Sequence, residues 1–433
     1  MRRPPPTPRP PHREPNSPQS PGGPVSPSSS SGRRAGAAAA ACVALLLALV
    51  AGCKPIGESS GDTATTIAVG YVNRESASGG LPEWRYGGLA AIDYINAHGG
   101  IGGVKIKPIV CLTDASPEAS INCANQFVDK GVALEFMGLD VGSDAALPIL
   151  KSAGIPFVAT VAAGTVQLSD PDSFMFGGLG PDAASLVQAL KDSGAKRVTI
   201  VIYAGLPAQK ATAATVKSMG ARAGLQVATL EVPASNADWT ASVASALTSR
   251  PDGFLLATRE NDCTNMLRAL KAAKYKGVTA AVGCTEYLKT LGKDAPRTLA
   301  GVQAWTPDLR RYAPAEVMPR LDVYQSAMKA IGHADLADTA GASRTFSGWM
   351  QLAEILRGIH GPVDAASVKK ALQGAADVPG YLGPDLHCGR KVWPSQPSVC
   401  SAQEMLLRIV PGPTGLRREP MSKGFTDLSA LAS

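Results

Sequence analysis

The sequence predicts an α/β fold made of two doubly wound parallel-sheet lobes. Three observations carry this expectation. Short apolar runs alternate with amphipathic stretches of helical period along most of the chain, as in parallel sheets flanked by helices. The alternation comes in two successive series, about residues 66–180 and 181–305, separated by the Gly-, Pro- and Asp-rich stretch Asp170–Pro181. At 433 residues, the chain is also too long for one small core.

The first series opens on the apolar run Ile67–Tyr71, read as a strand. Trp84, Gly88, Ala91, Ile92 and Ile95 then recur at steps of three and four, one face of a helix. Asn96–Gly100 stops that helix, because Asn and Gly accept the left-handed backbone of a cap, and Ile101–Gly103 makes a tight reversal. Val104, Ile106, Pro108, Val110 and Leu112 alternate with Lys105, Lys107 and Ile109, as in a strand buried mainly on one face. Helices at Pro117–Lys130 and Asp144–Ala153 and strands at Ala133–Met137 and Ile155–Ala159 complete the series.

The second series has strands at Val198–Tyr203, Leu225–Leu230, Phe254–Ala257, Thr279–Val282 and Gly301–Trp305. Its helices are Pro181–Ser193, Pro207–Ala223, Asn236–Ser249 and Asp262–Ala273. Helices at Pro314–Ala330, Ser343–His360 and Asp364–Gly374 and a strand near Met405–Val410 are too few for a third domain, so they complete the two lobes. Residues 411–433 read as a loose tail.

Residues 1–32, rich in Pro, Ser and Arg, cannot build a core. Arg33 and Arg34 then precede an Ala/Leu run ending Val50-Ala51-Gly52-Cys53. A positive region, a short apolar region and small residues before a cleavage point make an export signal, so residues 1–52 are read as arm and signal peptide. Cys53 directly after Ala-Gly resembles a bacterial lipoprotein signal, which implies a lipidated Cys53 and a body held on the outer face of the cell membrane or in the periplasm. A transmembrane anchor is the alternative, for which the run is short. Residues 53–64 would be a polar tether.

The formal charge of +7 is concentrated in the first 52 residues, which hold six Arg and one Glu, leaving +2 on the exported body. That balance does not suggest a nucleic-acid face. Six cysteines follow Cys53, and an exported chain meets oxidising conditions. They fall into three pairs of sequence neighbours, Cys111–Cys123, Cys263–Cys284 and Cys388–Cys400, which is the pairing expected, other pairings being open. No Cys-x-x-Cys occurs and the later histidines are scattered, so no metal site is expected. There is no Walker A or G-x-S-x-G motif, and Gly99–Gly103 follows a helix rather than a strand. No catalytic residue and no cofactor are expected.

In open α/β sheets, ligands bind at the carboxyl ends of the strands. That rule selects the loops Asn73–Trp84 (with Ser78), Gly138–Asp144 (with Val141) and Thr160–Thr165 in the first lobe. In the second it selects Ala204–Ala208, Thr258–Asp262 and Gly283–Tyr287 (with Thr285). Gly142 and Ser143, before a helix start, could hold a carboxylate on unpaired backbone donors. Ser143 could equally cap that helix.

Several phrases in order resemble the type I periplasmic solute-binding proteins, the branched-chain amino-acid receptors of ABC importers. They are INAHGGIGG at 95–103, Thr113-Asp114 with Pro117, FMGLDVGS at 136–143 followed by AGIPFVA, RVTIVIY at 197–203, PDGFLLA with Met266-Leu267-Arg268, and AGVQAWTP at 300–307. The resemblance implies two lobes joined by three crossovers: lobe one at about 65–180 plus 308–385, lobe two at about 181–307 plus 386–410. It implies a non-enzymatic receptor that closes over an amino-acid-like or carboxylated ligand and delivers it to ABC permease subunits. A lipoprotein subunit that senses the ligand and signals to a partner is the alternative.

Mapped onto the family's ligand loops, Thr160, Ala162 and Ala163 occupy a loop that often carries Ser or Thr, so the two alanines could contact ligand only through backbone. Arg259 and Glu260 stand where aromatics are common. Arg259 could hold a carboxylate bidentately or pair with Glu260 or Asp262. Glu286 matches the family's ammonium-binding acid or is a solvated helix-start carboxylate. Asp140 is a second ammonium candidate, and Trp84 and Trp305 are either cleft walls or core.

Overall fold

The computed structural model describes residues 66–76, 79–281, 297–412 and 415–432. The predicted signal, Cys53 and the tether lie outside the described residues.

β1 (Thr66–Ser76) runs through the middle of the first sheet and turns back at its end onto the short β2 (Gly79–Gly80). α1 (Pro82–Ala97) follows, with Pro in its first turn and a buried face of Gly87, Gly88, Ala90, Ala91, Ile92 and Ile95. The reversal after it places Gly99, Gly100, Gly102 and Gly103 at φ of 94°, 66°, 58° and 88°, a region that side chains rarely adopt. Asn96 clamps the reversal: its amide donates to the Ile106 carbonyl and accepts from the Ile106 N–H, both at 2.8 Å. The glycine-rich phrase therefore joins helix to strand.

β3 (Lys105–Thr113), α2 (Pro117–Asp129), β4 (Glu135–Met137), α3 (Leu147–Ser152), β5 (Phe157–Ala159), α4 (Val166–Ser169) and β6 (Ser173–Met175) complete the first series. The strands order as β3-β1-β4-β5-β6, all parallel. α5 (Leu179–Asp192) leads into the second sheet through β7 (Arg197–Tyr203), α6 (Pro207–Ala223), β8 (Gln226–Val232), α7 (Trp239–Leu247), β9 (Gly253–Leu256), α8 (Glu260–Ala272), β10 (Val278–Ala281) and β11 (Thr298–Val302). The strands β8-β7-β9-β10-β11 are parallel. α9 (Met318–Ala330), α10 (Ala340–Arg357) and α11 (Ala365–Gly374) come next in the chain, and residues of all three belong to the apolar core formed by β1 and α1. β12 (Gln403–Gly412) rejoins the second sheet antiparallel to β11.

α1 and α10 pack closely because glycine lines their contact. A Cβ on Gly87 would overlap the Ala342 carbonyl oxygen. Further along α10, Trp349 is fully buried, with its ring 4.7 Å from Phe136 and 6.2 Å from Tyr71. Burying aromatic faces of this kind is a main source of core stability.

Four expectations need correction, and the alternative left open for Trp305 is decided. Val110 and Leu112 of β3 are 38% and 47% exposed; β3 lies at the edge of the sheet, paired only with β1. The helix expected over 144–153 is a 3₁₀ turn at Ser143–Ala145 followed by the six-residue α3. Trp305 is core, 3% exposed and edge-on to Phe425. The tail from 411 is not loose: β12 runs to Gly412, β13 (Gly415–Pro420) and β14 (Thr426–Asp427) pair with it, and Leu428 and Leu431 are buried. Finally, the stretch after 386 does not pass at once to the second sheet. Met175 of β6 donates to the Ser398 carbonyl and accepts from Cys400 N–H, at 2.8 and 2.7 Å, so the change of sheet falls between Cys400 and Gln403.

The disulfides Cys111–Cys123 and Cys388–Cys400 are formed as expected. Cys263 is disulfide-bonded too, and its expected partner Cys284 lies outside the described residues. None of the described helices is long and apolar enough to cross a membrane.

Candidate functional site

At the carboxyl ends of the first-sheet strands, buried Asn73 organises the loops. Its amide nitrogen donates to Glu75 Oε1 and to the Leu81 carbonyl, each at 2.9 Å, and its oxygen accepts from Leu139 N–H at 2.9 Å. Arg85 grips both oxygens of Glu75, at 2.7 and 2.8 Å. Burial pushes the Glu75 carboxyl up, but the bonds from Arg85 and Asn73 outweigh it and hold the group below the usual range. Trp84 is half-buried beside this frame. Its backbone carbonyl accepts from the Tyr71 hydroxyl at 2.7 Å, and its ring lies 5.9 Å from the Arg344 guanidinium.

The next loop turns its polar groups inward. Asp140 is fully buried and accepts from Thr113 Oγ1 at 2.9 Å, Ser120 Oγ at 2.5 Å and Gly142 N–H at 3.3 Å. This carboxylate is thereby engaged within the protein and turned away from solvent. Ser143 is buried as well: its hydroxyl donates to the Asp140 carbonyl at 2.6 Å and accepts from Gln167 Nε2 at 3.0 Å. It caps no helix, since Gly142 occupies the cap position and the turn after it is only three residues long. Val141 alone of this group projects outward, 56% exposed.

The loop after β5 is fastened to this one. Asp144 accepts from the N–H groups of Val166 and Gln167, both at 3.2 Å, and Gln167 Oε1 accepts from Ala163 N–H at 3.1 Å. The Ala163 donor is thereby used within the protein, and Ala162 is buried in the core. Val166 is 50% exposed. Thr160 is buried with an unpartnered hydroxyl oxygen, and its carbonyl accepts from Arg344 Nε at 2.9 Å.

In the second lobe, Arg259 precedes α8 on the loop after β9 and is exposed. Its guanidinium lies 5.2 Å from the Tyr203 ring centre and reaches the Ala234 carbonyl at 3.4 Å, a marginal contact. Its backbone N–H donates to the Tyr203 hydroxyl at 2.8 Å, and that hydroxyl donates to Asp262 Oδ2 at 2.5 Å. Burial, then the bond to Asp262, pushes the Tyr203 hydroxyl up. Asp262 is thus engaged by tyrosine, and among the described residues no acidic side chain is paired with Arg259. Glu260 is the first residue of α8. Leu206, on the loop after β7, is 42% exposed. Ser78, Thr285 and Glu286 lie outside the described residues.

The structure thus leaves Trp84, Val141 and Arg259 available at strand ends and turns Asp140, Ser143 and Ala162 inward. Asn73, Tyr203, Gln167 and Arg344 were missed as organisers, because each acts through a partner distant in sequence. Among the described residues, no group of His, Cys, Asp and Glu could hold a metal ion. A groove of about 600 Å³ at the far end of α10, lined by Ile359, His360, Lys370 and Ala371, is away from these loops.

The sequence matches the periplasmic binding protein family over residues 66–393. No curated protein matches it. Solved structures share its fold at low identity. An ABC transporter substrate-binding protein from Desulfitobacterium hafniense, in complex with Leu, is 16% identical with a TM-score of 0.65, covering 82% of this chain and 100% of its own. A solute-binding protein of an ABC transporter from Rhodopseudomonas palustris, in complex with 3,4-dihydroxybenzoic acid, is 17% identical with a TM-score of 0.63, covering 84% and 98%. A fatty acid ABC transporter substrate-binding protein from Thermomonospora curvata is 13% identical with a TM-score of 0.65, covering 84% and 94%. With its two parallel-dominated sheets and its match over most of the chain, this protein belongs to the periplasmic binding protein family, the extracytoplasmic, non-enzymatic receptors of small ligands for ABC transporters.

Proposed function

We propose that this chain is a lipoprotein, anchored through Cys53, that captures a small carboxylated ligand between its lobes and delivers it to ABC permease subunits. In this reading lobe one comprises about 65–180 plus 308–400, and lobe two about 181–307 plus 401–427. Arg259 carries the ligand class. It is an exposed guanidinium backed by the Tyr203 ring, with no acidic side chain paired to it among the described residues, on a loop at the carboxyl end of β9. A carboxylate accepts two parallel bonds from such a group.

Val141 and Leu206, exposed on strand-end loops, and Val166, exposed at the start of α4, offer apolar contacts to the rest of the ligand. A carboxylate with an apolar body fits that surface, and leucine, an aromatic acid and a fatty acid, the ligands named for the structural relatives, all have that form. Asp140 is withdrawn as an ammonium contact, which leaves Glu286 in that role if the ligand is an amino acid. Contacts from both lobes make binding favour the closed arrangement.

Thermal unfolding of residues 54–433 against amino acids, aromatic acids and fatty acids tests this. A ligand at a hundredfold excess over its Kd stabilises the fold by about 2.7 kcal/mol. The expected result is a concentration-dependent rise in Tm with one class of carboxylate, lost in Arg259→Ala. A rise that is equal in Arg259→Ala, or a rise produced only by uncharged compounds, contradicts the proposal.

A further inference from the structure

A buried cluster of charged and amide groups joins the two lobes behind the strand-end loops. Arg344 belongs to α10, which packs on the first sheet with α1. Its Nε donates to the Thr160 carbonyl at 2.9 Å, and its Nη2 donates to Gln303 Oε1. Gln303 follows β11, is 5% exposed, and donates from its single amide nitrogen to Asp182 Oδ1 at 3.0 Å and to Glu404 Oε1. Asp182 lies in the first turn of α5, which packs on β11 and β12 of the second sheet, and its carboxylate is 3.9 Å from the Arg344 guanidinium. Glu404 lies on β12 and is 2% exposed.

There is no slack in this cluster. A Cβ on Gly177 would overlap Gln303 Oε1, and one on Gly301 would lie 2.5 Å from Glu404 Oε2. The cavity beside it, lined by Thr160, Gln303, Arg344 and Ser347, measures about 10 Å³, room for about one water. Two carboxylates and one guanidinium therefore share a site in which Glu404 is buried and Asp182 and Arg344 are only partly exposed. With both acids ionised the site would carry a net negative charge that nothing buried there balances. With Glu404 neutral, Asp182 and Arg344 balance each other. Burial, then the charge of Asp182, pushes the Glu404 carboxyl well above its ordinary range, and Arg344 opposes this only in part. The groups facing Glu404 are Asp182 from α5, Gln303 from the end of β11 and Arg344 from α10; on its own sheet β14 sets Thr426 opposite it.

We infer that Arg344, Gln303, Asp182 and Glu404 form a proton-dependent latch between the lobes, intact while Glu404 is neutral and loosened when Glu404 ionises. Ionisation requires water to reach Glu404, and the water-sized cavity cannot supply a hydration shell without parting Gln303 from Arg344. That is one of the contacts by which lobe one holds the crossover, beside the bond from Trp305 N–H to the Leu382 carbonyl. Arg344 also fixes the Thr160 loop and lies beside Trp84, so loosening the latch relaxes two strand-end segments proposed to face ligand. Arg344 and Glu404 are positioning residues here; neither needs to touch ligand. The latch does not depend on the ligand class proposed above, and its test uses no ligand.

The experiment places spin labels on exposed positions of the two lobes, through Lys130→Cys on the first and Lys217→Cys on the second, and measures the interlobe distance distribution from about pH 5 to about pH 9 in the otherwise intact protein. Wild type is expected to keep the distance of the present structure at low pH and to broaden toward other distances in a single titration as pH rises. Glu404→Gln is expected to keep the low-pH distribution throughout. Asp182→Asn, at a half-buried position that tolerates the change, removes the repelling charge and is expected to move the midpoint to lower pH. A wild-type distribution that does not change with pH, a Glu404→Gln titration equal to wild type, or an Asp182→Asn midpoint that is unmoved overturns the latch. Should Glu404→Gln fail to fold, the wild-type and Asp182→Asn curves decide alone.

Discussion

At the residue scale, the polar groups that the sequence offers as ligand contacts divide by the direction they face, and direction is set by tertiary partners. Asp140 and Ser143 are followed by a turn, as ligand-binding residues often are, yet Thr113, Ser120 and Gln167 claim their oxygens. Nothing local marks that, since Thr113 and Gln167 are 27 and 24 residues away. Arg259 was legible, because an arginine at a strand end near a helix start is a candidate on its chemistry alone. Glu135 was not. It is fully buried with one carboxyl oxygen unpartnered, and burial, then the charge of Asp140, pushes its carboxyl from 4.5 to about 8.

The folded state therefore holds that proton more tightly than the unfolded chain. Its contribution to stability is complete below about pH 4.5 and declines as pH rises toward about 8. Each tenfold difference in proton affinity between the folded and unfolded chain is worth about 1.4 kcal/mol, so the loss is several kcal/mol. Denaturant midpoints across that range are expected to fall in wild type relative to Glu135→Gln, with the gap widening toward high pH. A gap that is constant with pH would show that Glu135 does not titrate there.

At the element scale, most helices and strands were visible in the sequence because their periodicity is strong. α6 begins and ends where expected, between a Pro and a left-handed Gly224. The elements that escaped were those whose pairing is remote. β6 is three residues inside a Gly- and Pro-rich crossover, and β13 becomes a strand only because β12 lies beside it. Two element-scale outcomes follow. Gly87→Val forces a side chain into the Ala342 backbone and is expected to cost about 3 kcal/mol, the upper end of overpacking, read as a lower denaturant midpoint. Removing the Cys111–Cys123 bridge, which closes β3 onto α2 across 12 residues, is expected to cost about 2–3 kcal/mol by the chain-entropy account. A double Cys→Ser variant as stable as wild type would place no stabilisation in that bridge.

At the scale of the whole molecule, the two-sheet division was legible from the repeated alternation of elements, and the order of family phrases pointed to the same architecture. The place of the last sheet change was not, because the 386–400 stretch is held to β6 by backbone bonds to Met175 that carry no sequence signature. The lipid anchor is a whole-molecule claim that rests on the Ala-Gly-Cys53 junction. Labelled palmitate is expected to enter the wild-type protein in a bacterial host that processes lipoproteins, and Cys53→Ser is expected to lose the label and leave the membrane fraction. Label retained in Cys53→Ser would assign the lipid elsewhere.

In the proposed capture, ligand is held between the lobes with its carboxylate on Arg259. The most direct measurement is the interlobe distance, at fixed pH, with and without the carboxylate that raises Tm most. The compound is expected to shorten the mean distance in wild type and to leave Arg259→Ala unchanged at the same concentration. Binding at full occupancy with no change in distance would contradict capture between the lobes, and an equal change in Arg259→Ala would contradict the role given to that residue.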